Sequence, residues 1–433
     1  MNINTNIDKT AEIVERSIFD IIPSKEAFLK ALRSGKRLTF YMGIDPTADY
    51  VHLGHSTNYL ILDRLHKLGH KIIVLVGDFT AMIGDPSDKT SMRIQLTKAQ
   101  VEENLKTFKR QIGKILDFED VENPIEFRFN SEWLSSLTFK DAVELASNFS
   151  VQQMIERDAF QKRIKNNKPL FVHEFFYPLM QGYDSVALET DCEIGGTDQL
   201  FNMMAGRTLL KRYKNKDKFV ITTTLLENPE TGEKLMSKSL GTGIGLEEPA
   251  NTMFRKIMQL PDCALRQLFV DCTKMSMPEI DALMHDLGNG KNPRDIKLIL
   301  AKEIVTMYHG EQEAVRAKEQ WIKIISKKQI NLSKIPEIKL NVENDPIGDL
   351  AKTINVSKGQ IRRLFDQEAI RINNNKKIIT PKVPPIKIQG IKTKLVPFIA
   401  ESIKWDGNGT YFEPFMGSGV VGFNLEPNRA VFS

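Results

Sequence analysis

Cysteine is scarce in this sequence, with three among 433 residues, and the three lie far apart along the chain. No two of them form a Cys-x-x-Cys pair, so neither a disulfide framework nor a cysteine zinc site is expected. No apolar run approaches the roughly 18 residues that a membrane helix needs, and the N-terminal stretch is polar and partly acidic. We therefore expect no membrane span, no secretory signal and a cytoplasmic location.

The composition is otherwise typical of a globular protein, with 41% apolar and 27% charged residues. A chain of this length can form two or three domains around a sizeable main core. The formal net charge of +5 permits a nucleic-acid partner without requiring one.

One stretch combines a strand, a turn and the start of a helix. Residues 38–44 are rich in β-forming side chains and are followed by an Asp-Pro turn. His52 and His55 then open a helix with periodic apolar residues, and Gly69 is placed to end it. A helix N-terminus after a strand binds anions, because its free N–H groups and its dipole face the loop. The histidines thus indicate phosphate binding, although a surface loop with two incidental histidines explains this stretch alone equally well.

A second stretch places a lysine on a loop that is followed by glycine. Met236, Ser237, Lys238 and Ser239 come after a predicted strand at residues 219–225. A loop lysine can neutralise phosphates as charge builds on departing pyrophosphate. Between the two stretches, the continuous apolar run at 71–77 predicts a strand buried in a parallel sheet. Strand, helix and strand in this order predict a βαβ unit of an open, doubly wound α/β sheet.

In this order and setting, the two stretches resemble the paired signature motifs of class I aminoacyl-tRNA synthetases, and their flanks are similar to the bacterial tyrosyl-tRNA synthetase family. The resemblance covers about residues 30–380 and implies an α/β fold with a Rossmann-like, doubly wound parallel sheet. The regions that we expect are a catalytic domain at 1–245 with a helical insertion at about 97–166, a helical bundle at 246–330, a linker at 331–344, and a small α+β RNA-binding module at 345–385 that resembles a ribosomal protein domain but is incomplete.

Tyr177, Gln181 and Asp184 recur at the spacing of one helical face. From the spacing alone, an internal polar network is an equally good explanation. The resemblance implies instead that Tyr177 and Gln181 bind the amino group of tyrosine, while Asp184 and Tyr41 bind its phenolic hydroxyl. This pair favours tyrosine over tryptophan as the substrate.

The turn at residues 83–87 is followed by two cations, Lys89 and Arg93. Asp85 could hold an ammonium group there, and the cations could close over phosphates, but an ordinary turn with a solvated charged face explains the same residues. The resemblance favours the first interpretation. It makes Asp85 a ligand of the substrate amino group, and Lys89 and Arg93 phosphate contacts.

A glycine pair ends another predicted strand, before Thr197 and Asp198. Asp198 could accept hydrogen bonds from ribose, and Thr197 or Asp198 could also be the N-cap of the helix that follows. By resemblance, Gly196 and Asp198 contact ribose and Gln199 lies near the reacting carboxylate.

The chemistry implied is attack of a carboxylate on the α-phosphorus of ATP, which needs positioning and charge stabilisation rather than a general base. The residues predicted to supply these, together with Mg²⁺, are His52, His55, Lys238, Thr47, Lys89 and Arg93. Further predicted contacts are Gly43 and Asp45 for tyrosine, and Gly54, Met236, Ser237 and Lys234 for ATP. Leu235 stands where the family motif has a lysine, so Lys234 is a candidate replacement.

The implied partners are tRNA(Tyr), L-tyrosine, ATP and a second copy of the chain. Residues 386–433 do not fit this family and resemble the first motifs of a DNA adenine methyltransferase of the Dam type, including an F-x-G-x-G turn at 415–419. The D-P-P-Y tetrapeptide of that chemistry is absent, and the sequence stops at Ser433, so we expect no methyl transfer. A tryptophan-specific synthetase, a methyltransferase and an RNA-binding protein without activation chemistry are the alternatives that the sequence leaves open.

Overall fold

The computed structural model of the chain describes residues 2–87, 96–236 and 241–327, together with residues 348, 351, 357–359, 410–413 and 429–432. The chain divides into two compact units, Met1–Ile330 and Asn331–Ser433. The predicted module at 345–385 lies almost entirely outside the described residues. None of the helices that the structure describes has the length and apolar character that a bilayer crossing requires.

The first unit contains a six-stranded sheet in the order β1-β6-β5-β2-β3-β4. Its strands are β1 (Ile18–Ile22), β2 (Thr39–Ile44), β3 (Lys71–Val76), β4 (Glu126–Phe129), β5 (Cys192–Gly196) and β6 (Phe219–Thr223). Five strands run parallel, and β1 runs antiparallel to β6 at one edge. The doubly wound parallel sheet is thus confirmed, and the antiparallel edge strand was not anticipated.

The chain leaves β2 in one direction across the sheet and later returns to its other side. From β2 it proceeds outward to β3 and β4, whereas β5 pairs with β2 on the opposite side and is followed by β6. In open α/β sheets, ligands bind where the strand order reverses, outside the carboxyl ends of the strands. The loops after β2 and β5 meet at this point.

Helices cover the sheet and form the rest of the first unit. They are α1 (Ile7–Glu15), α2 (Lys25–Leu32), α3 (Leu53–Lys67), α4 (Thr80–Ile83), α5 (Lys98–Leu105), α6 (Phe108–Ile112), α7 (Ser131–Leu134), α8 (Phe139–Ala146), α9 (Val151–Ile155), α10 (Asp158–Lys165), α11 (Phe176–Leu188), α12 (Leu200–Lys214), α13 (Ala250–Met258), α14 (Leu265–Cys272), α15 (Met277–Gly288), α16 (Pro293–His309) and α17 (Glu311–Lys327), with 3₁₀ turns at Val172–Phe175, Thr197–Gln199 and Asp262–Ala264. The helix-rich character predicted for residues 97–166 and for the segment from 250 to 327 is confirmed.

The helical spacing of Ile13, Val14, Ile18 and Ile21 in the sequence predicts amphipathic helices over residues 1–37, and this prediction is wrong in the middle of the segment. Ile18 and Ile21, which were assigned to a helical face, lie in β1, where Ile21 pairs with Ile221 of β6. The β-branched run Ile18–Ile22 favours a strand, and its partner lies about 200 residues further along the chain, out of reach of any local pattern. Tertiary pairing therefore decided this segment.

One hydrophobic core extends from the sheet into the C-terminal helices of the first unit. Ile61 and Val74 belong to the same buried cluster as Phe254, Phe269 and Leu300. All of β3 beyond Lys71 is buried, as the apolar run predicted. Packing against this core fixes the position of α3, and hence of the histidines at its start.

Helices α11 and α12 approach closely because glycine stands on both facing surfaces. A Cβ on Gly182 of α11 would lie 3.2 Å from the backbone of Ala205 and of Gly206 in α12. A Cβ on Gly206 would lie 2.6 Å from Ser185 Oγ and 2.7 Å from Lys218 Nζ. Any larger side chain at these two positions would push the helices apart.

In the second unit, the described strands are β7 (Thr410–Glu413) and β8 (Arg429–Phe432). They pair in parallel, with Thr410 opposite Arg429 and Glu413 opposite Phe432. The F-x-G-x-G turn between them lies outside the described residues.

Candidate active site

The two histidines of the first stretch lie at the N-terminus of α3. His52 is the N-cap residue, and its backbone N–H donates to Nδ1 of His55 over 3.3 Å. The two imidazoles stack, with their ring centroids 3.7 Å apart and an angle of 19° between their planes. This stacking places two ring edges at the N-terminus of α3, where the helix dipole favours an anion.

The segment that follows the second signature motif pairs directly with the first. The N–H of Leu53 donates to the carbonyl of Ile244 over 3.0 Å, and the N–H of Leu246 donates to the carbonyl of Val51 over 2.9 Å. A Cβ on Gly54 would lie only 3.2 Å from Met236 Cβ. The glycine of the first motif thus allows the close approach of the second.

Ser237 and Lys238 lie outside the described residues, and so do Lys89 and Arg93. Immediately before the gap, Leu235 packs against the hydrophobic core, and its N–H donates to the carbonyl of Leu226 over 2.8 Å. The neighbouring Lys234 is exposed and lines the cavity described next. Of these two residues, the lysine therefore faces the cavity.

A cavity of about 810 Å³ opens where the strand order reverses. The predicted site residues that line it are Gly43, Asp45, Thr47, His52, Gly54, His55, Asp85, Tyr177, Gln181, Asp184, Gly196, Asp198, Gln199, Lys234 and Met236. They come from two parts of the chain that are far apart in sequence. The fold brings both parts to the carboxyl ends of β2, β3 and β5.

Asp45, which follows β2, is held by two hydroxyl groups. The hydroxyl of Tyr177 donates to Asp45 Oδ2 over 2.8 Å, and that of Thr80 donates to Oδ1, also over 2.8 Å. A Cβ on Gly77 would lie 2.0 Å from Asp45 Oδ1 and 2.3 Å from Thr80 Oγ1. Only glycine fits at residue 77, so the loop after β3 is shaped around this carboxylate.

Asp85 is also anchored, and one of its partners was not predicted. It is 7% exposed and accepts hydrogen bonds from Gln199 Nε2 over 2.7 Å and from Arg157 Nη2 over 3.2 Å. Arg157 is itself buried and also contacts Ser87. It lies in the insertion, between α9 and α10, so an ion pair joins the insertion to this cavity wall. The sequence carries no spacing signal that connects residues 85 and 157.

Asp184 lies in the cavity wall and is 3% exposed. Its carboxylate accepts hydrogen bonds from Trp133 Nε1 over 2.7 Å and from Asn130 Nδ2 over 3.4 Å. Burial raises the pKa of this carboxyl well above its usual range, and the two donors oppose that rise. Asn130 directly follows β4, so the rule that ligands gather at strand ends could have identified it from the sequence.

Tyr41 is the one predicted tyrosine-binding residue that does not line the cavity. Its side chain is fully buried in β2, and its hydroxyl lies 2.8 Å from Ser185 Oγ. Burial raises the pKa of this phenol, and the carboxylates of Glu193 and Asp184 raise it further. A direct contact between Tyr41 and a substrate hydroxyl stays a prediction.

The turn after β5 brings Asp198 back over the glycine pair. A Cβ on Gly196 would lie 2.5 Å from Asp198 Oδ1, so the aspartate can adopt this position only beside glycine. The N-caps of the 3₁₀ turn and of α12 are Gly196 and Gln199, and neither makes a side-chain capping bond. The capping role considered for Thr197 or Asp198 is therefore not observed.

Two family models match the chain. Residues 33–326 match the class I tRNA synthetases for tryptophan and tyrosine. Residues 389–433 match the D12 class of N6 adenine-specific DNA methyltransferases. Both resemblances noted in the sequence are thus confirmed, and they occupy separate parts of the chain.

Individual relatives agree with the first match over most of their length. The chain is 44% identical over 378 residues to tyrosine–tRNA ligase 2 of Clostridium acetobutylicum, which covers 86% of this chain and 93% of the relative. It is 40% identical over 413 residues to the tyrosine–tRNA ligase of Carboxydothermus hydrogenoformans, which covers 91% and 98%.

Solved structures of lower identity share the fold. A C-terminally truncated mitochondrial tyrosyl-tRNA synthetase of Aspergillus nidulans superposes with a TM-score of 0.61 at 22% identity, over 73% of this chain and 94% of that chain. The tyrosyl-tRNA synthetase of Archaeoglobus fulgidus, complexed with L-tyrosine, gives 0.57 at 21% identity, over 72% and 100%. These likenesses agree with the Rossmann-like sheet described above.

Proposed function

This chain belongs to the class I tRNA synthetases of the tryptophan and tyrosine group, and we propose on that basis that it joins L-tyrosine to tRNA(Tyr). The observation that carries the choice of tyrosine is the buried carboxylate of Asp184, fixed by Trp133 and Asn130 in the wall of the cavity. A carboxylate can accept more hydrogen bonds than these two, and the phenolic hydroxyl of tyrosine supplies a further donor. The relatives with 44% and 40% identity carry the same activity in their names.

In the first step, a carboxylate oxygen of tyrosine attacks the α-phosphorus of ATP. The new oxygen–phosphorus bond forms as the bond to the departing pyrophosphate breaks, which leaves tyrosyl-adenylate and pyrophosphate. His52 and His55 would face the phosphates from the N-terminus of α3, and Lys238 of the second motif would add positive charge, with Lys234 as its candidate replacement in the cavity wall. Asp85 and Tyr177 would hold the amino group, so the reacting carboxylate is oriented before attack.

In the second step, a ribose hydroxyl of the terminal adenosine of the tRNA attacks the carbonyl carbon of the adenylate. A carbon–oxygen ester bond forms, the bond from that carbon to the phosphate oxygen of AMP breaks, and the hydroxyl proton leaves with AMP or solvent. Gln199, which is bonded to Asp85, lies in the wall of the same cavity. One cavity thus serves both steps.

ATP is the nucleotide substrate of this family, and we propose that Mg²⁺ accompanies it. Within residues 2–87, 96–236 and 241–327, no cluster of three or more His, Cys, Asp or Glu side chains is placed to hold a metal ion. Mg²⁺ is usually held by substrate phosphates, water and one or two carboxylates, so this cavity fits an ion that enters with ATP. When bound, the ion neutralises phosphate charge.

We propose a homodimer that forms through the insertion. Large apolar side chains are exposed there and on the turn that follows it: Phe139, Val143, Val151 and Val172 are 84%, 53%, 68% and 76% exposed. Exposed apolar groups of this size on neighbouring segments favour contact with a second copy of the chain. Because three cysteines are free thiols and the substrates are tRNA and ATP, we also propose a cytoplasmic location.

The helical bundle, the RNA-binding module and the C-terminal segment are proposed with the boundaries that the sequence predicts. Residues 246–330 would approach the tRNA as a helical bundle, and residues 345–385 would bind RNA as a small basic module. The segment 386–433 would take part in neither step. It is expected neither to transfer methyl groups nor to bind S-adenosylmethionine tightly.

The test is tyrosine-dependent exchange of pyrophosphate into ATP, with tryptophan and phenylalanine as control substrates. Exchange with tyrosine alone supports the proposal and excludes the tryptophan-specific alternative. Exchange with tryptophan alone contradicts the assignment of the pocket. No exchange from the folded protein favours the alternative of an RNA-binding protein, for which Leu235 in the second motif is the supporting observation.

A further inference from the structure

A cluster of buried polar side chains lies behind the wall of the cavity. Tyr41, Ser185 and Lys218 are fully buried and Glu193 is 2% exposed; we call these four residues the buried quartet. Lys218 forms an ion pair with Glu193 and donates to Ser185 Oγ over 2.7 Å. Ser185 Oγ in turn lies 2.8 Å from the hydroxyl of Tyr41 and 3.3 Å from Glu193 Oε2.

Stability alone does not account for a charge pair in this place. Removing two charges from water is costly, and a well-packed apolar pair of similar volume is often as stable or more stable. Burial lowers the pKa of Lys218, and the adjacent Glu193 opposes that shift. Packing and stability alone therefore do not explain why a charge pair stands here.

Glu193 connects this pair to the substrate cavity. One of its oxygens faces Lys218, and the other, Oε1, accepts a hydrogen bond from Gln181 Nε2 over 3.0 Å. Gln181 Oε1 accepts a hydrogen bond from Asn202 Nδ2 over 2.8 Å. Both Glu193 and Gln181 line the cavity.

These contacts determine which end of the Gln181 amide can meet the substrate. An ionised carboxylate can only accept hydrogen bonds, so Gln181 must turn its NH₂ group toward Glu193. Its carbonyl oxygen has two lone pairs, and Asn202 uses one of them. The other lone pair is left to accept a hydrogen bond from an ammonium group.

We propose that Glu193 and Lys218 are positioning residues for the α-ammonium group of the amino acid. Lys218 holds the Glu193 carboxylate by an ion pair, Glu193 fixes the Gln181 amide by accepting a hydrogen bond from its Nε2, and the Gln181 oxygen then faces the ammonium group. This inference rests on the proposed function, because it assumes that the amino acid occupies the cavity with its amino group near Gln181.

Loss of the Lys218 charge would act through that chain of contacts. Without Lys218, the Glu193 carboxylate loses the ion pair that holds it in place and no longer fixes the Gln181 amide. The amide can then rotate and turn its NH₂ group toward the substrate ammonium, where two sets of donors face each other. The affinity for the ammonium group falls, while contacts to the phenol ring are unchanged.

The test compares two competitive inhibitors of the pyrophosphate exchange reaction in the full-length protein. Tyramine carries the ammonium group without the carboxylate, and 3-(4-hydroxyphenyl)propionate carries the carboxylate without the ammonium group. In Lys218→Met, we expect tyramine to bind about tenfold to a hundredfold more weakly, as for a lost charge-assisted hydrogen bond, and 3-(4-hydroxyphenyl)propionate within about twofold of wild type. We call the inhibition constant of tyramine divided by that of 3-(4-hydroxyphenyl)propionate the inhibitor ratio. Because both inhibitors carry the phenol, any change at Tyr41 affects both constants alike and cancels in this ratio.

Two further variants keep the test decisive. Lys216→Met removes a lysine two residues away whose ion pair with Asp191 lies nearer the surface, and it should leave the inhibitor ratio unchanged. If Lys218→Met does not fold, the apolar double variant Glu193→Leu with Lys218→Met also frees the Gln181 amide and should weaken tyramine selectively. An inhibitor ratio equal to that of wild type in the folded variants overturns this inference while leaving the proposed function intact. Absence of tyrosine-dependent exchange in the wild-type protein would instead count against the proposed function.

Discussion

The indole nitrogen of Trp133 donates a hydrogen bond to Asp184 Oδ1 across 2.7 Å, which joins α7 to α11 at the wall of the cavity. The carboxylate that is proposed to bind the substrate hydroxyl is thus fixed by a residue from a different helix. The hydrogen bond from Trp133 opposes the rise in the pKa of Asp184 that burial causes. Orientation and charge at this position depend on Trp133 together with Asn130.

Replacing Asp184 should remove the preference for tyrosine. In Asp184→Ala the carboxylate that accepts from the substrate hydroxyl is gone, so tyrosine loses much of its advantage over phenylalanine. We expect the ratio of kcat/KM for tyrosine to that for phenylalanine to fall by about tenfold to a hundredfold. Pyrophosphate exchange with each amino acid measures this ratio, and unchanged selectivity would mean that another residue reads the hydroxyl.

Trp133→Phe should also reduce activity with tyrosine. The variant keeps the ring but removes one donor to Asp184, which costs about 1.5–3 kcal/mol for a hydrogen bond to a charged group, or roughly tenfold to a hundredfold in kcat/KM. Without this donor the pKa of Asp184 rises further, so the loss should shrink as the pH is raised and the carboxyl regains its charge. Trp321→Phe, at a tryptophan packed near Phe254, is the matched control and should leave the exchange rate unchanged. Equal effects of the two substitutions would argue against a specific role for Trp133.

Gly77→Ala should displace the carboxylate of Asp45. The added Cβ would lie 2.0 Å from Asp45 Oδ1, so the carboxylate must move away from Thr80 and Tyr177. Small displacements of positioning groups cost up to about a hundredfold in rate, and we expect a loss of that order in the exchange assay. Gly288→Ala, where a Cβ meets nothing within 4 Å, is the control for the substitution itself. Wild-type activity in Gly77→Ala would show that Asp45 need not keep its present position.

His70 should make folding stability depend on pH. This residue is fully buried, and burial lowers its pKa from 6.5 to about 4. Between these two values the unfolded chain binds a proton that the folded chain excludes, so the free energy of unfolding falls as the pH falls from about 6.5 to about 4. The contribution is about 3 kcal/mol, fully present above the higher value.

Urea unfolding at pH 7 and pH 4.5 measures this effect. His70→Asn keeps an acceptor for the N–H of Leu38, and its free energy of unfolding should fall less between pH 7 and pH 4.5 than that of wild type. His285→Asn changes an exposed histidine, and its free energy of unfolding should fall by as much as that of wild type. A decline of the same size in His70→Asn and wild type would assign the acid sensitivity to other groups.

Phe139→Glu should weaken the proposed dimer. Phe139 is 84% exposed on α8, and a carboxylate there would have to lose its water on burial between two copies of the chain. We expect the dissociation constant to rise by about tenfold or more in sedimentation experiments. Phe19→Glu introduces the same charge at a 71% exposed phenylalanine of the edge strand β1 and should leave the dimer intact. A monomeric wild-type protein would rule out the dimer altogether.

The first motif follows β2 and the glycine pair ends β5, each just before a helix or 3₁₀ turn, and residues of both line the cavity as the sequence predicted. The helical spacing of Tyr177, Gln181 and Asp184 likewise placed all three side chains in the cavity wall. Trp133, Arg157 and Lys218 were missed, since each contacts its partner across a long stretch of sequence and none belongs to a periodic pattern. Only the folded chain shows that these residues hold the predicted ones in place.

The edge strand β1 and the position of Tyr41 were missed for a related reason. Strand β1 is formed by pairing with β6, far along the chain, and local periodicity favoured a helix there. For Tyr41, the alternation of side chains along β2 predicts on which face of the sheet the residue lies, but not how deeply its side chain is buried. Its hydroxyl is directed to Ser185, a neighbour of the predicted Asp184.

The reversal of strand order between β2 and β5 also has a consequence during synthesis on the ribosome. The loops after β2 and β3 and helix α11 are all made before Cys192, the first residue of β5, leaves the ribosome. Until β5 pairs with β2, the cavity lacks Glu193, Gly196, Asp198 and Gln199. A nascent chain that ends earlier would carry the first signature motif without a complete substrate site. Tyrosine or ATP can therefore stabilise only the chain that has completed this pairing, and not its precursors.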